Sequence, residues 1–586
     1  MVYKSFYNKD YFLCVMLDQK KEYFERIISF VEQQKPTKQK LAKEKVRLCK
    51  EFSLKKIPSD IEILLNTPDE KVKELRKYLQ TKPMRTGSGV AVVAIMTAPF
   101  RCPHGKCTYC PGGPKSYFGD VPQSYTGNEP ATMRGIRNDY DAFLQVMNRL
   151  EQYIAIGQNP DKVELIIMGG TFPSYRTEYQ EGFARDAFLA MNVFSDLFYS
   201  KDPQKKGLDA FNLDKFKEFF ELPGSIKNVE RTMRIKKKLL ALKEKYLDTL
   251  ENCQKVNETA RIRCIGMTIE TKPDWGLLKH GNTMLKLGCT RVELGIQTLY
   301  EEVLKETHRG HDLQDSIDSI RILKDLGFKL NFHMMPGLPN VTREQDIWCF
   351  EELYKNPDYK PDMLKVYPTM VMQGTKLYVD YITKKYEPLS TDEAADIISE
   401  MVKFVPKYCR IMRVQRDIPT KFSKGGVDKN NLRQLVELKM KEKGYSLNDI
   451  KAREIGKNKV KYPTSIDVYE YESSKSKDFF ISVNDSNDKL LGFVRLRLPH
   501  ESLREEFDDK TAIVRELHVY GKAIAIGNES DKTQHKGVGK ALMAKAEEVA
   551  KQQGKTKVLV ISGIGVREYY KKIGYTLEGP YMAKQV

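Results

Sequence analysis

The sequence lacks any early apolar run long enough to cross a bilayer. The longest near its start, Tyr11–Leu17, is too short and gives way to charge. It also lacks low-complexity tracts, while apolar residues are ample, so a folded rather than disordered chain is expected. Cysteine is sparse: ten in 586 residues cannot build a disulfide scaffold. Seven of them (Cys14, Cys49, Cys253, Cys264, Cys289, Cys349 and Cys409) are scattered singly and read as small buried hydrophobes. These absences exclude membrane and disulfide-knot classes and lead to the expectation of a soluble, cytoplasmic protein with no membrane partner. An amphipathic helical pattern begins at Asp18, which makes Met16 a candidate native start.

At 586 residues the chain is too long for one core, so two or more domains are expected. The formal charge of +19 suggests a polyanionic partner, although glutamate is also abundant. Residues 1–85 read as a basic helical segment. Across 35–56, nine lysines and arginines stand against Glu44 and Glu51. A charge run is usually a solvated face, but this one is lopsided, and Lys38, Lys40, Lys43, Lys45 and Arg47 are candidate phosphate contacts for a nucleic acid.

Residues 86–380 alternate short apolar, β-branched runs with helical stretches. The runs Val90–Met96, Val163–Met168, Cys264–Glu270, Arg291–Gln297, Lys329–Met335 and Met363–Met370 are separated by segments such as Tyr140–Ala155, Asp312–Leu326 and Glu344–Tyr354. Such alternation predicts an α/β fold of parallel strands with right-handed crossovers, a partial (β/α)6 barrel with its chemistry at the C-terminal strand ends. A charged helical insertion is expected at about 196–255, with no readable role beyond a basic part at Arg231–Lys238. Residues 381–460 read as a helical linker. Residues 461–586 change class to α+β, with strand patterns at Ser465–Tyr471, Phe479–Val483, Leu490–Leu498 and Ala512–Val519.

Three cysteines remain, Cys102, Cys107 and Cys110, in a loop after the first predicted strand. A structural zinc site wants four closed ligands, and no second C-x-x-C pair exists; His104 would be cramped inside the loop. A redox C-x-x-C leaves Cys102 unexplained. A [4Fe–4S] cluster held by three thiolates leaves one iron open, and the context favours it. The second strand ends in Gly169-Gly170-Thr171, where glycines let backbone approach a ligand. Together the two loops resemble radical SAM enzymes, in which such a cluster and a glycine-rich loop seat S-adenosylmethionine (SAM).

In the C-terminal part, Gln534-His-Lys-Gly537-Val538-Gly539 leads into a predicted helix at Lys540–Gln552 and offers an anion cradle. With its flanking strands it resembles the pyrophosphate loop of GNAT acetyltransferases, which bind acetyl-CoA. Glu516 is a candidate general base or an ion-pair partner. His518 reads more readily as a packing residue. Of Tyr569 and Tyr570, one is expected in the core, and the other could protonate a departing thiolate; Tyr570 is the candidate, with Glu516, for a catalytic role.

The combination of a radical SAM barrel upstream of a GNAT domain resembles the family of the Elongator catalytic subunit, including single-chain archaeal members, over roughly residues 20–586. The strings Gln123–Gly127, Met168–Phe172, Thr268–Pro273, Thr307–His311, His333–Pro336, Val414–Pro419, Arg515–Gly521 and Gly579–Met582 carry the likeness. The resemblance implies modification of a tRNA wobble uridine at C5 toward carboxymethyluridine, with the anticodon stem-loop as partner. It implies acetyl-CoA contacts at Lys162, Glu516, Leu517, His518, Val519, Val538, Gly539, Lys540 and Tyr570. The expected chemistry is a 5′-deoxyadenosyl radical acting on the acetyl methyl, bonding to uracil C5, and thioester hydrolysis. The linker string Ser446–Gly456 departs from the family in having no cysteine, which puts a metal there in doubt. A rival is a protein-lysine acetyltransferase with a structural cluster. A homodimer is left open, and accessory subunits are not implied.

Overall fold

The computed structural model describes residues 6–81, 89–205, 207–224, 228–456, 458–520 and 537–586, with the side chains of 6–17, 69, 73 and 208 left aside. Among these residues, seven parallel strands form one sheet in chain order: β1 (Ala91–Met96), β2 (Lys162–Met168), β3 (Arg263–Thr271), β4 (Arg291–Gln297), β5 (Lys329–Met334), β6 (Met363–Val366) and β7 (Arg410–Val414). The order without a switch point is what a curling half-barrel requires. The seventh strand comes from 381–460. That stretch is helical at Thr391–Met401 and Leu432–Glu442 but also extends the barrel, because its Arg410–Val414 run pairs with β6. The strand signal there is five residues long and carries two arginines, so its pattern is weak in sequence.

Along each strand one set of side chains meets the helices and the other faces the concave side. On β4 and β5, Val292, Leu294, Leu330 and Phe332 belong to the apolar core. Their alternates Arg291, Glu293, Asn331 and His333 face the other way. A barrel lined by charge rather than by stacked apolar layers is built to hold a polar guest.

Four helices precede the barrel: α1 (Phe6–Gln34), α2 (Lys38–Glu51), α3 (Asp60–Leu65) and α4 (Asp69–Leu79). They share a small core of their own around Tyr23, Ile27, Val31, Leu41, Leu48, Ile63 and Leu75. Helix α1 begins well before Asp18, and no helix among the described residues is long and apolar enough to cross a membrane. Outside the barrel sheet lie α5 (Ala142–Ala155) and α6 (Thr177–Phe198). The charged segment read as an insertion folds into α7 (Val229–Lys245) and α8 (Leu250–Asn257). Helix α8 is part of the barrel wall. Asn192 of α6 donates to the Cys253 carbonyl at 2.8 Å, and the Cys264 amide of β3 donates to Asn257 Oδ1 at 2.8 Å.

The second sheet runs β8 (Ser465–Ser473), β9 (Ser476–Asn484), β10 (Leu490–Arg497), β11 (Thr511–Val519), β12 (Lys557–Val560), then β14 (Tyr581–Gln585) and β13 (Thr576–Glu578) at its edge. Only β11 and β12 pair in parallel. Helix α9 (Val538–Gln552) packs on this sheet, and the short α10 (Arg567–Lys571) follows β12.

The two sheets share one core, and their boundary is ionic. Arg515 of β11 clasps Asp362, just before β6, through two bonds of 2.7 and 2.6 Å. Arg497 donates to Asp325 at 2.8 Å, and Arg495 to the Tyr408 carbonyl at 2.7 Å. Asp325, Asp362 and all three arginines are at most 1 % exposed. Burying so many charges is tolerable only because each is paired.

Candidate active site

The cysteine loop begins where β1 ends. The Thr97 amide donates to the Met168 carbonyl at 2.9 Å and fixes the loop against the end of β2. A Cβ on Gly169 would lie 2.0 Å from Thr97 Oγ1, and both Gly169 and Gly170 have positive φ, so neither position accepts a larger residue. Thr171 Oγ1 is 3.7 Å from Cys102 Sγ. The Cys110 thiol donates to Gln123 Oε1 at 3.2 Å and accepts from the Ser124 amide at 3.2 Å. The predicted metal residues and the Gly169–Thr171 loop therefore meet at the C-terminal mouth of the barrel.

Two cations stand against these sulfurs. Arg309 Nη1 donates to Cys107 Sγ at 3.7 Å, and Lys272 extends nearby, bonded to Asp274 at 3.2 Å. Burial pushes the Cys102 thiol up and the Cys110 thiol up to about 11. Thiolates at this site therefore need compensating charge. Neither Lys272 nor Arg309 was assigned a role from sequence; each sits in a quoted string, but nothing local marks it as facing a cysteine. His104 Nε2 lies 3.3 Å from Cys107 Sγ, and burial, then Lys272 and Arg309, lower its pKa to about 3.

The donor set fits a multi-iron cluster. Among the described residues no three His, Cys, Asp or Glu side chains converge on a single ion. Three thiols, a cationic wall and glycine backbone suit a larger, anionic, thiolate-held group. Buried polar atoms without partners, His104 Nδ1 and Thr108 Oγ1, lie in the same loop.

Below this mouth the concave face carries a ladder of charge. Tyr125 donates to Glu270 Oε2 at 2.9 Å, and burial, then Glu293, raises Glu270 to about 7. Glu293 pairs with His333 at 2.8 Å, with Asn331 at 3.2 Å and with Lys365. Lower still, Arg291 pairs with Glu164 at 2.5 Å, and Lys329 lies 3.9 Å from Glu516 of β11. The ladder thus runs along the concave face from the cysteine loop to the second sheet.

At that far mouth lie the candidate acetyl-CoA residues. Lys162 opens β2 and pairs in register with Arg263 of β3. Gly565, just before α10, packs so closely on Arg263 that a Cβ would be 2.5 Å from the arginine's Cβ. Glu258, just past α8, receives Arg567 and Lys571 of the α10 segment, each at 3.0 Å. Glu258 lies just beyond the expected insertion at about 196–255 and clamps the two sheets there.

Glu516 accepts from Arg495 at 3.0 Å. Burial alone would raise its pKa, but Lys329 and Arg495 outweigh that and hold it below its usual range. It is an ion-pair partner, its carboxylate engaged by Arg495 and Lys329. His518 stacks on Phe493, with ring centres 5.8 Å apart, and lies tilted against Tyr520 at 4.4 Å, as a packing residue would. Leu517 is half-buried and Val519 exposed on the same strand. Tyr570 is buried and its pKa is raised by burial, then by Tyr569 and Glu516. A Cβ on Gly539 would lie 2.9 Å from the Tyr569 hydroxyl, so Tyr569 is the tyrosine against the start of α9. Gly537 caps that helix with φ +95°, followed by Val538, Gly539 and Lys540. Gln534 lies outside the described residues.

The basic segment divides in two. Lys38 and Lys45 both bond Asp60, at 2.7 and 2.8 Å, and Arg47 is held by Glu44 and Glu51 at 2.7 Å each. Lys40 and Lys43 are exposed, with no ion pair among the described residues. On α7, Arg231 is buried against Glu151 at 3.1 Å, while Arg234 and Lys238 share Glu221 at 2.7 and 3.2 Å.

Comparison with known proteins gives four family matches. Residues 21–87 match the ELP3 N-terminal domain, 224–348 the radical SAM superfamily, 361–442 the radical SAM C-terminal domain and 446–575 the acetyltransferase (GNAT) family. The chain is 42% identical over 540 residues to a tRNA uridine(34) acetyltransferase of Methanocaldococcus infernus, covering 90% of this chain and 92% of that protein. It is 38% identical over 556 residues to Elongator complex protein 3 of Saccharomyces cerevisiae, covering 92% and 91%. The solved structure of archaeal M. infernus Elp3 with an N-terminal deletion superposes with a TM-score of 0.67 at 37% identity, covering 85% of this chain and all of that one.

Proposed function

Because the chain belongs to the family of Elongator complex protein 3 and the tRNA uridine(34) acetyltransferases, we propose that it modifies uridine 34 of tRNA at C5 and leaves a carboxymethyl group there. A radical SAM domain works with a [4Fe–4S] cluster and SAM, and a GNAT domain with acetyl-CoA. The observation that carries the reading is the ladder of paired charges along the concave face, which links the cysteine loop to the Glu516 strand. Ordinary acyl transfer to an amine needs no second cofactor site, whereas bonding an acetyl methyl to an unactivated ring carbon needs both cofactors on one acetyl group.

Cys102, Cys107 and Cys110 would hold the cluster, and its radical chemistry with SAM supplies the means to activate a methyl group. Arg309 and Lys272 offset the thiolate charge. Gly169, Gly170 and Thr171 would present backbone to bound SAM. Lys162, Leu517–Val519, Gly537–Lys540 and Tyr570 would line the acetyl-CoA path, with Tyr569 added by its place at α9. Lys40 and Lys43 lead the phosphate contacts, and the uracil enters splayed from the anticodon loop. The ion pair of Glu516 with Arg495 counts against a lysine acetyltransferase, which would need that carboxylate as base.

The test is anaerobic reconstitution with iron and sulfide, then reductant, SAM, acetyl-CoA and tRNA, with nucleosides and 5′-deoxyadenosine read by mass. Carboxymethyluridine with 5′-deoxyadenosine is expected. Lysine acetylation of a peptide with neither product would overturn the reading.

A further inference from the structure

The lumen contains a group that neither cofactor explains. His333 of β5, Glu293 of β4 and Lys365 of β6 meet midway along it. Lys365 is held charged and Glu293 is held well below its usual range, chiefly by Lys365 and His333 against its burial. An ionised carboxylate only accepts hydrogen bonds, so the 2.8 Å contact must be donated by His333 Nε2–H. That fixes the tautomer and leaves Nδ1 as a bare acceptor. No described residue bonds Nδ1, and although protein surrounds the ring, the side chain keeps 15% exposure. The imidazole stays neutral near pH 7, because burial and Lys365 lower it to about 4.

The groups facing this ring come from several elements. Glu293 and Lys365 flank it on neighbouring strands, the Tyr367 ring lies 5.3 Å away, and Arg416 adds positive charge from beyond β7. The arrangement is that of a carboxylate orienting an imidazole toward a reacting molecule. A neutral, oriented imidazole with an open nitrogen can accept a proton at pH 7, as a weak base.

We propose that His333, positioned by Glu293, is the general base that hydrolyses the CoA thioester inside the barrel after carbon–carbon bond formation at the uracil. The inference rests on the function proposed above. In the step, a water oxygen bonds to the thioester carbon while one water proton passes to His333 Nδ1. The carbon–sulfur bond breaks, and the sulfur leaves with that proton as the CoA thiol. The second water proton is lost from the new carboxyl group. No oxidant or reductant is consumed.

The placement explains a need of the reaction. Hydrolysis before bond formation would waste acetyl-CoA, so the base belongs inside the lumen rather than at the Glu516 mouth. From Lys329, beside Glu516, to His333 is four residues of strand, roughly 13 Å at 3.3 Å per residue. A thioester bound at the mouth is thus kept from the base until its acetyl end has moved inward.

Two measurements test this. In the reconstituted enzyme, His333→Gln is expected to form 5′-deoxyadenosine at the wild-type level but to accumulate tRNA whose uridine still carries the CoA thioester, with carboxymethyluridine reduced by about a hundredfold. Glu293→Gln should weaken hydrolysis less and shift its pH profile. In cluster-free wild-type protein, nitrogen-15 NMR of the eight histidines should show, among the rings neutral at pH 7, one protonated at Nε2 that is absent from His333→Gln and changed in tautomer in Glu293→Gln. Wild-type hydrolysis in His333→Gln, or a His333 ring that is cationic or Nδ1-protonated at pH 7, would overturn the proposal. A wild-type enzyme that forms no uridine adduct at all would instead overturn the functional reading beneath it; the NMR result stands apart from both variants' ability to fold in active form.

Discussion

At the scale of single residues, burial decides which charged groups do chemistry and which hold structure. Asp346 is buried, with the Gly337 amide at 2.7 Å, and burial raises its carboxyl to about 7 from an ordinary value of 3.8. The folded protein therefore keeps a proton there that the unfolded chain loses near pH 4. The unfolded state binds fewer protons across that window, so this group's contribution to stability falls as pH rises from about 4 to about 7 and is flat above. Asp346→Asn can still accept from Gly337 and should remove the dependence. Its melting temperature is expected to match wild type near pH 4 and exceed it at pH 8, by a gain of at most about 4 kcal/mol. Equal pH profiles of thermal unfolding would show that Asp346 is ionised in the fold. The same logic demotes Glu516: its alternation on a strand was visible in sequence, but its partner Arg495, 21 residues away on β10, was not.

At the scale of elements, helix α2 is a surface with two faces. Lys40, Lys43, Arg47 and Lys50 recur at spacings of three and four and so form one stripe, while Lys38 and Lys45 are spent on Asp60. Replacing Lys40, Lys43 and Lys50 with glutamine should weaken tRNA binding and lower its logarithmic salt slope by about 2. Replacing Lys38 and Lys45 should instead lower the melting temperature of the helical segment and leave most of the slope. Filter binding across a salt series separates the two; equal slopes for both variants would remove the stripe from the interface. Sequence reading located the helix and its charge but not the division, because Asp60 arrives from another helix. Strand positions in the barrel were legible for the opposite reason. Five of the first six observed strands match the β-branched runs to within a residue or two, since two-residue periodicity and flanking turns are local. The last overreached: Met363–Met370 ends as strand at Val366.

At the scale of the molecule, the two sheets are joined by paired charges that neither would bury alone. Removing one partner leaves the other stranded: Asp362→Asn should cost on the order of 3–5 kcal/mol, because Arg515 loses its bidentate acceptor. Calorimetry should show one transition for both domains, shifted down together. Two transitions, with only the C-terminal one displaced, would mean the domains fold independently. The division into barrel and GNAT sheet was readable from the change in strand pattern near 461. The clamp was not, since arginines at alternate positions of a strand look like solvent-facing residues until the opposing sheet is known. The lumen ladder was hidden in the same way: Glu293, His333 and Lys365 lie 40 and 32 residues apart and meet only once the strands align.

The ionic boundary also bears on how the chain is made. Asp325 and Asp362 precede Arg495, Arg497 and Arg515 in sequence, so a ribosome delivers the acceptors first. At about 5–20 residues per second, the barrel has on the order of ten seconds to set its aspartates before the first of these arginines emerges. Each guanidinium then meets a waiting partner. In the reverse gene order Arg495 would have only Glu516, and Arg497 and Arg515 only Asp478, until the barrel aspartates arrived.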